Sequence, residues 1–337
     1  MNMKRGDCIA WALAVLATFA SAQAGTAAVA APAPQEVVPG VWMIPGGMPP
    51  DRQPDGNSVI LDAPAGLIVV DTGRHAWHRE AILSLARAQD KSIASIVNTH
   101  WHLDHVSGNP ELRAAYPDLR VYSSDAIDGA LTGFFPESAK DAAAYLEDPQ
   151  VPPDTRDDIR GDLLTMENGA ALKPDVVISA SGTLSLGGRA LRINLAPDAV
   201  TAGDLWLYDE TNRLAVLGDL VTLPAPFLDT ACPAGWKVAL AEVAATGFEV
   251  AIPGHGTPMD RGQFLIYRNA FEAFIDCANS ARAEQECASG WADAIEPLLA
   301  GDPLGQKRAR GTAAYYVGML RANGGRSKYC ASQPVRP

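Results

Sequence analysis

The 337-residue chain carries 27 Lys and Arg against 39 Asp and Glu, a formal net charge of −12, with 47% hydrophobic and 20% charged residues. This is the composition of a globular chain with room for one large α/β domain and a sizeable core, not of a disordered one. The negative balance argues against nucleic acid as a partner, because phosphates would be repelled, but says little about a small-molecule substrate, which senses the local field.

The chain opens as a secretory signal. Lys4 and Arg5 precede an apolar run from Ile9 to Ala20 that is too short to span a bilayer, and Ala22-Gln23-Ala24 offers a small-residue cleavage site. Residues 1–24 are therefore expected to be removed, leaving no integral membrane segment, and 25–35, rich in Ala and Pro, to form a flexible leader. The destination is periplasmic or secreted. Cys8 goes with the signal, leaving Cys232, Cys277, Cys287 and Cys330, an even number that in an exported chain suggests two disulfides. Of three connectivities, Cys277–Cys287 with Cys232–Cys330 is preferred, the first stapling neighbouring helical segments and the second tying down the C-terminus.

In chain order, Val37 to Ile44, Ser58 to Leu61 and Leu67 to Val70 read as strands, rich in β-branched residues and separated by Gly, Pro, Asp and Asn. Trp77 to Arg87 has helical spacing, and Ile93 to Val97 is a buried strand that runs directly into Thr99-His100. Polar residues at the carboxyl end of a buried strand lie at the sheet edge, where sites form. A helix starts near Asn109-Pro110, and Arg120 to Tyr122 is a short strand. From about 133 to 174 the text turns acidic and helical, an insertion that is either a lid or a solvated surface arm. Strands return at Val176 to Ile178, Leu184 to Leu186, Ala190 to Leu195, Leu205 to Tyr208 and Leu214 to Leu217. A helix at Lys237 to Ala245 and a strand at Phe248 to Ile252 follow, and 261–337 reads as a helical extension. Strands and helices thus recur in two halves, which suggests an α/β fold with two sheets packed together and helices outside.

Within Thr99-His100-Trp101-His102-Leu103-Asp104-His105 stand three of the chain's six histidines and a carboxylate. Imidazole and carboxylate are the ligands zinc favours, and a loop leaving a strand lets alternate residues converge. His100 and His102 are expected to serve one ion, Asp104 and His105 a second. The run His-Trp-His-Leu-Asp-His resembles the His-x-His-x-Asp-His signature of the metallo-β-lactamase superfamily. Further landmarks resemble that family in order: Asp71-Thr72-Gly73, the turn supporting the metal loop; Gly218-Asp219-Leu220, supplying a bridging carboxylate; and Pro253-Gly254-His255-Gly256, carrying the last histidine ligand. The resemblance spans roughly 36–260 and implies an αββα sandwich. It is closest to exported members similar to glyoxalase II and to zinc hydrolases associated with periplasmic quinoproteins.

One position departs from that pattern. Where the family places a histidine in Ala-His-Thr-x-Gly-Asp, this chain has Ala199-Val200-Thr201-Ala202-Gly203-Asp204. Valine cannot coordinate. The resemblance therefore implies a complete second site (Asp104, His105, Asp219, His255) and a first site reduced to His100, His102 and the bridge. One zinc ion is expected to bind tightly and the other weakly or not at all. Asp198, His75 and His78 are possible neighbours of the site. Phe134, Phe135 and Phe227 are candidate apolar walls, and Gly46-Gly47-Met48 a candidate flexible loop. The implied activity is hydrolysis of an ester, thioester or amide bond, lactams included though not favoured, by zinc-activated water with Asp104 orienting it or shuttling its proton. Two other readings stay open: a catalytically impaired metal-binding accessory protein of a periplasmic redox system, which Val200 favours, and an oxygen-binding di-iron protein, which would need the full ligand set.

Overall fold

Short runs of Val, Ile and Leu bounded by glycine, proline and aspartate build the first sheet. The computed structural model describes residues 30–299 and 301–330, so the expected signal segment and residues 25–29 of the expected leader lie outside it. The described residues fall into two compact units. The first takes in the chain up to Tyr122 together with Ile127–Val176; the second takes in Ser123–Ala126 and the chain from Val177 onward.

The first unit holds β1 (Gln35–Val38), β2 (Val41–Ile44), β3 (Ser58–Ala63), β4 (Gly66–Val70), α1 (Ala76–Ala88), β5 (Ile93–Val97), α2 (Leu103–Val106) and α3 (Asn109–Ala115). The expected single strand from Val37 to Ile44 is two, because Pro39 withholds a backbone donor and Gly40 takes φ +72°, folding the chain back on itself. Strands β1 to β4 pair antiparallel; β5 lies parallel to β4, and β6 (Arg120–Ser123) parallel to β5, in a sheet of order β1 to β7 completed by β7 (Val176–Val177). Strand β4 is buried at every position, as a strand covered on both faces must be. The insertion read from the sequence consists of α5 (Phe134–Glu147), α6 (Pro153–Glu167) and a single 3-10 turn at Gly169–Leu172, preceded by α4 (Ala126–Thr132). Helix α5 and α6 share a small apolar core of Ala142, Val151 and Ile159.

The second unit carries a six-stranded sheet: β8 (Gly182–Leu186), β9 (Arg189–Ala196), β10 (Asp204–Asp209), β11 (Leu214–Thr222), β12 (Val250–His255) and β13 (Met259–Asp260). All pairs are antiparallel except β11 with β12. Strand β11 runs five residues beyond the expected Leu217, since Gly218-Asp219-Leu220 continues the buried strand. Strand β12 starts at Val250 rather than Phe248, whose ring is buried in the apolar core instead. Helices α7 (Pro233–Ala245), α8 (Arg261–Ala278), α9 (Glu284–Ile295) and α10 (Pro303–Ala322) supply most of that core, which includes Trp236, Phe264, Phe271, Phe274 and Trp291. Asp260 caps α8 in a reciprocal capping box with Gln263.

Both preferred disulfides are present. Cys277–Cys287 closes a separation of 10 residues between α8 and α9, and Cys232–Cys330 closes one of 98. In the chain-entropy account such loops contribute about 3 and about 5 kcal/mol. They point to an oxidising compartment. Among the described residues no helix is long and apolar enough to cross a membrane.

Candidate metal centre

In each sheet the site residues stand on or just after neighbouring parallel strands. In the first unit, β4 delivers Asp71 and β5 delivers Asn98, Thr99 and His100. Asp71 adopts φ +60°, a region sparsely used outside glycine and stored at functional sites. From there its carboxylate accepts three hydrogen bonds: Thr99 N at 2.8 Å, Thr99 Oγ1 at 2.7 Å and His105 Nδ1 at 2.9 Å. The backbone of the metal loop is fixed as firmly. Thr72 N donates to His105 O at 2.7 Å, Gly56 N to Asp104 O at 3.1 Å, and His105 N to His102 O at 2.9 Å.

The four predicted ligands of this loop come together. His100, His102, Asp104 and His105 are all buried, His105 completely. The His100 ring lies 4.4 Å from that of His102 and 4.3 Å from that of His105, centroid to centroid. His105 Nε2 faces Asp104 Oδ2 at 3.7 Å. Gly56 is the cradle behind His105: a Cβ there would stand 2.3 Å from the imidazole, so only glycine lets the ring lie where it does.

In the second unit, Asp219 stands within β11 and His255 ends β12. These strands run in parallel register, Gly218 opposite Pro253, and His255 Nε2 is 3.6 Å from Asp219 Oδ1. Gly254 plays the part of Gly56, since a Cβ on it would meet Asp219 Oδ1 at 1.9 Å. The donor set of imidazoles and carboxylates suits zinc, and the described residues include His and Asp groupings able to hold a metal ion.

Val200 is fully buried and belongs to the apolar core of the second unit. Its turn is tight. Thr201 N and Oγ1 both donate to Asp204, and Thr230 Oγ1 donates to Val200 O at 2.8 Å. Burial pushes the Asp204 carboxyl up to about 8, against the Thr201 hydrogen bonds and with the charge of Asp219 adding to it. Asp198 is only half-buried, and the start of α7 presses on its backbone, where a Cβ at Gly235 would meet Asp198 O at 1.7 Å.

His75 and His78 are both buried, the first at the N-cap of α1 and the second within it. His75 lies between two carboxylates, Nδ1 to Asp55 Oδ2 at 2.7 Å and Nε2 to Asp158 Oδ2 at 3.2 Å. Burial opposes its charge, but the Asp158 and Asp55 carboxylates more than offset this and raise its pKa. Asp55 is correspondingly held down at about 2, burial being outweighed by His75, His78 and the Arg74 backbone N–H. His78 hydrogen-bonds Ser58 Oγ at 2.8 Å, and burial lowers its pKa to about 4. The unfolded chain therefore binds a proton at His78 between about pH 6.5 and 4 that the folded chain refuses. Stability contributed by neutral His78 is present above 6.5 and is lost as pH falls toward 4, by about 3 kcal/mol at most. Denaturant titration of the metal-free protein across that range should show a shallower acid loss for His78→Gln than for the parent; equal slopes would rule this out.

Asp55, Arg74, Asp158 and Asp162 were not singled out from the sequence. Asp158 and Asp162 stand four apart on one face of α6, a visible signal, but an acidic helix reads as a solvated one. Of the candidate apolar walls, Phe134 and Phe135 pack on Trp101, at 5.1 and 5.4 Å between ring centroids, while Phe227 lies against Tyr316 at 6.4 Å. Gly46-Gly47-Met48 is pinned rather than loose, by a bridge between Gly47 and Asp55 and by Gly46 N donating to Asn57 Oδ1 at 2.8 Å.

The family model described as Metallo-beta-lactamase superfamily matches residues 52–276. A linear primary-alkylsulfatase from Pseudomonas sp. is 26% identical over 225 residues, covering 59% of this chain and 41% of the relative. A hydroxyacylglutathione hydrolase-like protein from Gallus gallus is 36% identical over 80 residues, 22% of this chain and 28% of the relative. The chain thus spans well under two thirds of these curated relatives. Among solved structures, a metallo-beta-lactamase family protein from Thermus thermophilus superposes with a TM-score of 0.57 at 17% identity, over 86% of this chain and 95% of that one. That likeness shows a common fold.

Proposed function

Because the chain belongs to the metallo-β-lactamase superfamily, we propose that it is a zinc-dependent hydrolase whose ligands are His100, His102, Asp104 and His105 of the first unit and Asp219 and His255 of the second. The observation that carries this reading is His105. Its ring is wholly buried, Nδ1 is committed to the Asp71 carboxylate, and Nε2 is turned toward Asp104. A carboxylate behind a histidine fixes the tautomer and aims the other nitrogen at a metal.

When bound, zinc supplies Lewis acidity, lowering the pKa of a water from 15.7 to about 7 and polarising the substrate oxygen. The chain's own residues do the rest. Asp71 orients His105. Asp104 positions the attacking water and takes up or passes on its proton. Trp101, with Phe134 and Phe135 behind it, keeps bulk water from that side of the loop. The bond cleaved is an ester, thioester or amide, with lactams less favoured; the alkylsulfatase relative adds sulfate esters. The two disulfides support a periplasmic or secreted setting.

Val200 supports a second reading, a metal-binding accessory protein with little turnover. The two separate on zinc-loaded and chelator-stripped protein assayed against thioester, carboxylic ester, lactam and alkyl sulfate substrates. The hydrolase reading expects zinc-dependent turnover of at least one, falling about 100-fold or more in Asp104→Ala. Zinc binding without turnover of any would favour the accessory role instead.

A further inference from the structure

Resting on the reading of Asp104 as a ligand, we propose that Arg74 is a positioning residue for Asp104 and that the inserted helix α6 sets its place through Asp162. Arg74 follows directly on the Asp71-Thr72-Gly73 turn. Its Nη2 stands 3.9 Å from Asp104 Oδ1, while the other oxygen, Oδ2, is 3.7 Å from His105 Nε2. The two oxygens thus have different neighbours, and the cation on one side fixes which oxygen is presented to the histidine side.

Arg74 cannot wander. Its Nη1 pairs with Asp162 on α6, its Nε donates to Pro54 O at 3.0 Å, and its backbone N donates to Asp55 Oδ1 at 2.6 Å. Its burial opposes the charge, but Asp162 and then Asp104 more than offset it, so the guanidinium stays charged. A planar fork is suited to bridging two carboxylates and a carbonyl at once; an ammonium is a single point and cannot do this. Helix α6 is tied to the same region a second time: Arg52 pairs with Asp158 at 3.0 Å, Asp158 meets His75, and Thr155 Oγ1 donates to Asp51 O at 2.7 Å. The insertion is therefore tied to the segment from Asp51 to His75, and Asp162, Arg74 and Asp104 form a charged route from it to the proposed ligand.

The test is cobalt(II) and zinc binding by the full chain, with the visible spectrum of the cobalt form and chelator competition for zinc. Arg74→Gln should weaken zinc binding about 10–100-fold, the range for losing a group that orients a ligand, and should alter the cobalt bands. Arg74→Lys should recover only part of this. Asp162→Asn should weaken binding in the parent but add nothing in the Arg74→Gln background, because it acts through Arg74. Unchanged affinity and spectrum in folded Arg74→Gln would overturn the proposal. Should that variant not fold, unchanged binding in Asp162→Asn overturns it equally. Fully additive losses would dismiss the relay. A parent chain that binds neither metal would remove the hydrolase reading as well, whereas a parent that binds while the variants match it removes this proposal alone.

Discussion

Asp71→Ala should be the most damaging single change in the first unit. It removes the common acceptor of Thr99 N, Thr99 Oγ1 and His105 Nδ1, all buried. Stranding a buried donor costs about 1–3 kcal/mol, so three together should cost on the order of 3–5 kcal/mol after local relaxation. The φ of +60° adds to this, since alanine tolerates the left-handed region less well than aspartate or asparagine. His105 would also lose the partner that fixes its tautomer, and zinc affinity should fall about 100-fold or more. Asp71→Asn separates the two effects. It keeps the shape and tolerates the backbone, but its amide turns a donor toward one of the former donors. It should lose less stability than alanine while still binding zinc at least about 10-fold more weakly. Denaturant unfolding of the metal-free variants and chelator competition read the two losses independently. Zinc affinity equal to the parent in Asp71→Asn would mean that the carboxylate does not orient His105.

Val200→His should have the largest effect in the second unit. The site is fully buried in apolar core. A larger side chain there costs about 1–3 kcal/mol in repacking, and an imidazole without a partner about 1–3 more. The metal-free variant should therefore be less stable than the parent by about 2–6 kcal/mol. If position 200 is that of the family's histidine, zinc should return that loss. A ligand at about 100 times its dissociation constant contributes about 2.7 kcal/mol, so the variant should gain markedly more stability on zinc addition than the parent. It should also hold a second equivalent and hydrolyse faster. A destabilised variant with no added zinc response would place position 200 outside the ligand set.

Much of this site was legible in the sequence because strand ends and glycines leave strong marks. The run from Ile93 to His105 announces a buried strand that ends in a cluster of histidines and a carboxylate, and the structure brings them together. The sequence leaves three disulfide pairings open, and the structure has the preferred one, with Cys277 and Cys287 on neighbouring helices. What was not legible depends on long-range contacts. The Pro39-Gly40 reversal splits one apparent strand, and β11 runs on through Gly218-Asp219 beyond the expected end at Leu217. His75 and His78 read only as possible neighbours of the site, because their partners Asp55, Asp158 and Ser58 come from other elements. The acidic insertion reads as either a lid or a solvated arm for the same reason: its counter-charges Arg52 and Arg74 lie far upstream in the chain.

Zinc titration of chelator-stripped, full-length protein, followed by competition with a chelator of known affinity, tests the central claim most directly. One tightly held ion per chain, with a second held weakly or not detected, is the predicted result. A chain that takes up no zinc, or two ions with equal and high affinity, would contradict it.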